Sequence, residues 1–408
     1  MSNKNLLNKK RKLTSIKNNN MIIAKIEIKK KNSPHSIINS FENQRRIDNI
    51  FINYDEMEEN EKEIMDCQIY INDIKVDFYY DFIFPDIGIY TIKYVFKNLL
   101  KSTSCMFFFC GPFLSLDFTN FNTEKITNMS YMFGACSVKE LDLSSFNTQN
   151  VITMSHMFDY NRSLKSLNLS NFNNNKLKTM KYMFFHCEKL TSLNLNNFNT
   201  ENVNDMSSLF DGCESLMKLN LSSFNTKNVI NMPSMFEFCE SLKELNLSNF
   251  NTQNVKNMDS LFRYCKSLLS LNISNFNTEK VEDMESMFQN CKSLINLDLS
   301  NFNTNNVKNM SGMFDRCSSL TLLDISNFII KKENNLKNMF RNCNSLISIY
   351  MPKINHIEEK FKNELLDVPK GLTGETKIRE VRTRVNQSFF RQVVLANYDG
   401  KCALTYSA

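Results

Sequence analysis

Apolar positions return along this chain with a step of 26 residues. Phe146, Phe172, Phe198, Phe224, Phe250, Phe276, Phe302 and Phe328 form one ladder, and Phe184, Phe210, Phe236, Phe262, Phe288, Phe314 and Phe340 a second with the same step. A fixed period of this length marks stacked supersecondary units, each unable to bury its apolar face alone. One unit, residues 219–242, shows what each predicts. Leu219 and Leu221 flank polar Asn220, the alternation of a short half-buried strand. Val229, Met232 and Phe236 then follow at i, i+3, i+7, a helical spacing that Thr226 precedes as an N-cap. Each unit therefore reads as strand, Phe-Asn-Thr corner, short helix or helical turns, Cys, and a Ser-Leu return. The predicted fold class is an α/β repeat solenoid of leucine-rich-repeat type, with about ten units and one parallel strand face. Residue spacing shortens to 25 between Phe121 and Phe146, and Ile329-Ile330 replaces Asn-Thr after Phe328, as in capping units at the margins.

The pattern changes before the array. Residues 1–20 are rich in Asn and Lys with no apolar rhythm, a basic leader. From Met21 the alternation Ile22, Ile23, Ile26, Ile28 predicts a strand, and Gln68–Ile71, Val76–Tyr80 and Ile89–Phe96 predict three more, joined at Asn72-Asp73 and Pro85–Gly88. Residues 21–100 thus read as a small antiparallel β cap for the array at 101–352. Residues 353–408 form a basic tail.

Charge alters the picture only once it is located. The net charge is +6, but residues 1–31 hold +9 and 353–408 hold +3, leaving about −6 for the body. Nucleic-acid binding is therefore not expected of the array, and any attraction to polyanions belongs to the tails. Nine of the 12 cysteines, Cys110, Cys136, Cys187, Cys213, Cys239, Cys265, Cys291, Cys317 and Cys343, stand three residues after a Phe, with Asn161 in the tenth slot. One cysteine per rung, without C-x-x-C or His-spaced clusters, reads as a buried packing row rather than a disulfide or metal framework. No secretory h-region and no apolar run of membrane-spanning length is present, so the product as written is expected to be made without export.

Chemistry is sparse. The four histidines, His35, His156, His186 and His356, lie in unrelated contexts, and no phosphate-binding glycine loop or metalloprotease motif occurs. The expectation is a non-enzymatic protein without cofactor. The corner residues Asn122, Asn147, Asn173, Asn199, Asn225, Asn251, Asn277 and Asn303 read as structural amides. The strand face remains for function. Asp142, Asn168, Asn194, Asn220, Asn246, Asn272 and Asp298 form its outward row, beside a second row of Ser and Thr, and such a face suits a protein partner. It carries no aromatic or Arg anchors, and Asn220→Ala reads as close to neutral for stability.

The unit Leu-Asn-Leu-Ser-Asn-Phe-Asn-Thr-Gln-Asn-Val-Lys-Asn-Met-Asp-Ser-Leu-Phe at 245–262 resembles the BspA-type leucine-rich repeats of bacterial and protist surface proteins and mycoplasma lipoproteins. The resemblance implies display at a surface and binding or adhesion, although the opening residues hold neither signal peptide nor lipobox cysteine. Thr383–Arg391 followed by Val394–Thr405 is similar to the lead-in of HNH endonuclease domains. The metal-holding and water-activating residues of that domain do not follow, so this fragment is expected not to cut nucleic acid. An alternative reading is a nucleic-acid-associated protein descended from such a fusion.

Overall fold

A computed structural model describes residues 20–47, 59–331 and 336–350. The basic leader up to residue 19 and the HNH-like fragment lie outside the described residues. The chain divides into two compact units, Met1–Val203 with Gly212–Glu214, and Asn204–Asp211 with Ser215–Ala408.

The first unit opens on a five-stranded antiparallel sheet ordered β4-β3-β6-β1-β7, where β1 is Met21–Ile28, β3 Gln68–Ile71, β4 Ile74–Val76, β6 Gly88–Val95 and β7 Phe113–Asp117. Strict alternation places Ile22, Ala24, Ile26 and Ile28 of β1 in the core against Tyr90, Ile92 and Tyr94 of β6. The Tyr94 hydroxyl, fully enclosed, donates to the Ile37 carbonyl at 2.6 Å. Asn72 and Asp73 turn β3 into β4 with φ of 48° and 64°, the left-handed pair a tight hairpin requires. A second pair, β2 (Pro34–Ser36) with β5 (Asp81–Ile83), lies beside this sheet. Two short helices that apolar periodicity did not predict, α1 (Phe41–Ile47) and α2 (Glu61–Met65), are joined by the side chain of Asn60, which accepts from Phe41 N–H and donates to Ser104. The sheet also runs past residue 100. Its edge strand β7 belongs to the first repeat, so cap and array share one hydrogen-bonded layer.

Within each unit the repeats stack in register. Strands β8 (Glu140–Asp142) and β9 (Ser166–Asn168) pair in parallel in the first unit. In the second, β12 (Glu244–Asn246) pairs with β13 (Ser270–Asn272), and β14 (Leu322–Asp324) with β15 (Ser348–Tyr350). β10 (Ser192–Leu193) and β11 (Lys218–Leu219) are the two-residue strands between. The strand face is therefore parallel, as its sequence predicts, but made of short pieces.

The helical segment is the main departure. No helix occurs among the described array residues; the stretch from Met232 to Cys239 is a run of tight turns. Ser234 and Phe238 adopt φ of 53° and 54°, and a left-handed residue every fourth position ends any α-helix. The backbone donors go elsewhere. Ser234, Phe236 and Phe238 N–H groups donate to the carbonyls of Asp259, Leu261 and Arg263 in the next rung at 2.8, 3.0 and 2.8 Å. Val229, Met232 and Phe236 nevertheless all point inward, because the turns repeat nearly at helical spacing.

Three side-chain ladders clamp the rungs. In the second unit the rings of Phe210, Phe236, Phe262, Phe288, Phe314 and Phe340 stack with centroids 5.5–5.7 Å apart. From Cys187 to Cys343 each ladder thiol donates to the Phe carbonyl one rung back, Cys265 to Phe236 and Cys291 to Phe262 both at 3.1 Å, and burial pushes these two thiols up. Asn161 takes the same slot and donates its amide to the Phe133 carbonyl. The Phe-Asn-Thr threonine is not an N-cap. Thr252, fully buried, accepts the Asn277 N–H at 2.7 Å and donates to the Asn277 carbonyl at 2.8 Å, and Thr226, Thr278 and Thr304 repeat the bridge.

One rung of the first unit breaks this clamp. Asn174 stands in the threonine slot, 1% exposed, and neither its amide nitrogen nor its oxygen has a hydrogen-bond partner. Restoring the repeat residue with Asn174→Thr is expected to stabilise the protein by about 1–3 kcal/mol, since it removes buried unsatisfied groups and rebuilds the bridge. Chemical denaturation of the two proteins at one pH checks this.

Candidate functional site

The outward row predicted from sequence is outward. Asp142, Asn168, Asn194, Asn220, Asn246, Asn272 and Asp298 are all exposed on the strand face. Each also has a structural task. Its side-chain oxygen accepts the backbone N–H two residues on, Ser144, Ser170, Asn196, Ser222, Ser248, Ser274 and Ser300 respectively, at 2.9–3.2 Å. These are Asx turns, which bend the chain out of the strand. Most corner asparagines do the same, Asn251 accepting from Gln253, and a third such turn closes several rungs, Asn257 accepting from Asp259, though not the rung of Asn231, where Pro233 has no N–H to give. Asn220→Ala is therefore expected to cost about 1 kcal/mol rather than nothing, measurable by denaturation. At Asp142 and Asp298 these N–H donors, with the serine hydroxyls, hold the carboxyls below the usual range.

The face is not uniform. In three rungs of the second unit the residue after the Ser-Leu return is aliphatic, and Leu269, Ile295 and Ile347 are 52%, 47% and 56% exposed, with Leu322 at 45%. Here the strand ladder also lapses. Residues 296–298 form no strand. A groove of about 640 Å³ opens along this lapse, lined by Leu269, Leu271, Leu297, Leu299, Leu322, and by Asp298 and Asp324 among Ser and Asn.

Sequence reasoning missed a second surface, made by the residue two places before each second-ladder Phe and by the two residues inside each Phe-x-x-Cys. In the first unit Tyr131, His156 and Tyr182 stack with centroids 4.3 and 4.6 Å apart, and His156 Nδ1 lies 2.7 Å from Asp159. Tyr160 stacks on His186 at 5.1 Å, with Arg162 over its ring. In the second unit Phe238 stacks on Tyr264 at 4.5 Å beneath Arg263. Behind that pair a polar ladder runs rung to rung: Arg263 donates to Glu237 and Gln289, and Gln289 and Arg341 both donate to the enclosed carboxylate of Asp315. The sequence signal was variability. Asp-Tyr, Phe-His, Asp-Gly, Glu-Phe, Arg-Tyr, Gln-Asn, Asp-Arg and Arg-Asn fill a slot whose flanking Phe and Cys barely change. These rings present mostly edges, their faces being covered by one another.

Asp211 heads this row. Burial, reinforced by Glu237, pushes its carboxyl up to about 8 from an ordinary value of 3.8. The folded state then binds a proton that the unfolded state releases, so this group's contribution falls as pH rises from about 4 through 8. Asp211→Asn, neutral at every pH, is expected to be more stable than the parent by about 1–3 kcal/mol at pH 9, the gap closing toward pH 4. Melting curves across that range check both ends.

Among the described residues no group of three or more His, Cys, Asp or Glu is placed to hold a metal, and no helix is long and apolar enough to cross a membrane.

A chain of in-register 26-residue rungs, nearly all with a short parallel strand and a turn-rich return, is a tandem repeat protein. Residues 101–194, 186–272 and 264–363 match, as three consecutive copies, the family described as "Mycoplasma protein of unknown function, DUF285", and the chain belongs to that family. The matched region ends short of the HNH-like fragment. No curated protein matches. A solved structure described as "Crystal structure of TLR13-ssRNA13 complex" is similar at 21% identity, covering 58% of this chain and 41% of that one, with a TM-score of 0.23. That superposition is too loose to bear on fold or ligand.

Proposed function

We propose that this protein is a non-enzymatic binding protein that holds a protein partner across its strand face. The observation that supports it is the exposed, regular face itself, on which small polar side chains repeat rung after rung while Leu269, Ile295 and Leu322 bring exposed aliphatic groups to three successive rungs. Many modest contacts over several rungs can sum to useful affinity without one dominant residue. The BspA-type resemblance favours the same role in its more specific form, adhesion at a surface. Catalysis has little to support it, because the polar groups of the array are engaged in turns and rung-to-rung bridges instead of converging on one point.

The test is selection from a displayed library of random peptides against the full chain. Enriched peptides are expected to lose binding to a Ser222→Lys, Ser248→Lys, Ser274→Lys variant, whose substitutions crowd the face while leaving the Asx turns intact. Enriched peptides that bind this variant undiminished would move the site off the strand face.

A further inference from the structure

Along the repeats, the residue after the Ser-Leu return or its counterpart is Lys139, Lys165, Thr191, Met217 and Lys243, then Leu269, Ile295, Thr321 and Ile347. This solvent-facing position is Lys or Thr in half of the rungs and apolar at Leu114 and Met217, but only from Leu269 on does it become aliphatic in two successive rungs, Leu269 and Ile295. Leu322, one position on, falls where Glu244, Ser270 and Asn296 stand in their rungs, and it too is exposed. Packing does not demand these residues, since the core of each rung is already filled by its Phe, Met, Cys and inward Leu. Exposed aliphatic side chains on successive rungs form a contiguous patch of the kind that marks a contact surface.

Charge says what the patch would meet. Asp298 and Asp324 line the groove and no Lys or Arg does. The Ser300 backbone N–H and hydroxyl hold the Asp298 carboxyl below its ordinary range, so it stays anionic well below neutral pH. Asp324 receives the Ser326 N–H in the same way at 2.9 Å.

We propose that this groove of the second unit is the docking point for an extended segment of a partner protein that alternates basic and aliphatic side chains. The proposal rests on the strand-face reading and adds its location and the chemistry of the partner. Aliphatic side chains of the segment cover Leu269, Ile295 and Leu322, and its Lys or Arg groups reach Asp298 and Asp324.

The experiment measures binding of short synthetic peptides to the full chain by fluorescence anisotropy, comparing alternating Lys-Leu, Glu-Leu and Lys-Ser sequences. Two variants borrow residues from equivalent rungs, so that folding is kept: Leu269→Thr with Ile295→Thr and Leu322→Ser, and Asp298→Asn with Asp324→Asn. The Lys-Leu peptide is expected to bind the parent best and each variant roughly tenfold more weakly, about 1.4 kcal/mol. Equal binding to parent and variants would overturn the assignment, as would self-association of the chain that the aliphatic variant abolishes, which would give the groove to a second copy. A parent that ignores all three peptides, while its library-selected binders still respond to the Ser222, Ser248 and Ser274 substitutions, would sink the groove and leave the strand face standing. Selected binders indifferent to both sets of substitutions would sink the two readings together.

Discussion

Phe236→Ala is expected to lower stability by about 3–5 kcal/mol, the cost of truncating a buried aromatic in a close-packed core. Phe236 is fully enclosed, its ring lying between Phe210 at 5.7 Å and Phe262 at 5.6 Å. The neighbours cannot close the gap. Their backbones are fixed one rung apart by Phe236 N–H to Leu261 and by the thiols of Cys239 and Cys265, which reach back to Phe210 and Phe236. Stacked repeats contact mainly their nearest neighbours, so the loss stays local in origin while affecting both adjoining rungs. Denaturant unfolding of parent and variant gives the number. A loss under about 1 kcal/mol, the size of an ordinary surface change, would place Phe236 outside the core.

Thr252→Val should follow, costing about 2–4 kcal/mol although it leaves side-chain volume almost unchanged. The hydroxyl is the sole group removed, and with it go both halves of the bridge to Asn277, leaving an N–H and a carbonyl without their partner. Thr252→Ser keeps the bridge and gives up a methyl, so its cost should be nearer 1 kcal/mol. The order Val worse than Ser is the informative result. If Val were tolerated and Ser were not, the position would be valued for packing and not for clamping.

The Phe and Cys ladders were legible because a 26-residue step repeated many times leaves one interpretation, a common inward slot. The β cap was legible for a simpler reason: alternation through Ile22, Ala24, Ile26 and Ile28 leaves little choice of face. The turns were not. Val229, Met232 and Phe236 have helical spacing, and apolar spacing alone cannot distinguish a helix from a run of tight turns. A glycine at each left-handed position would have given the turns away. Instead the chain places Ser234, Phe238, Ser260 and Tyr264 there, accepting the backbone cost where every rung-to-rung hydrogen bond enforces it. Thr226 was misread for the same reason, since a threonine ahead of an apparent helix looks like a cap.

The candidate site was legible in position and not in detail. Asn220, Asn246 and Asn272 face outward as alternation requires, but their Asx turns depend on a backbone bend that alternation does not describe. The change from Lys243 to Leu269 and Ile295 was present in the sequence all along. It looked like drift within a repeat until the groove along 296–298 set Leu269 beside Leu297 and Leu322.

Hydrogen exchange on the full chain, with and without a library-selected peptide, tests the central claim most directly. Binding across the strand face in the second unit predicts slowed exchange in 269–273, 295–300 and 321–326, with the Phe-x-x-Cys corner around Tyr160 and Tyr264 unchanged. Protection confined to that corner, or to the cap between Met21 and Phe96, would contradict it.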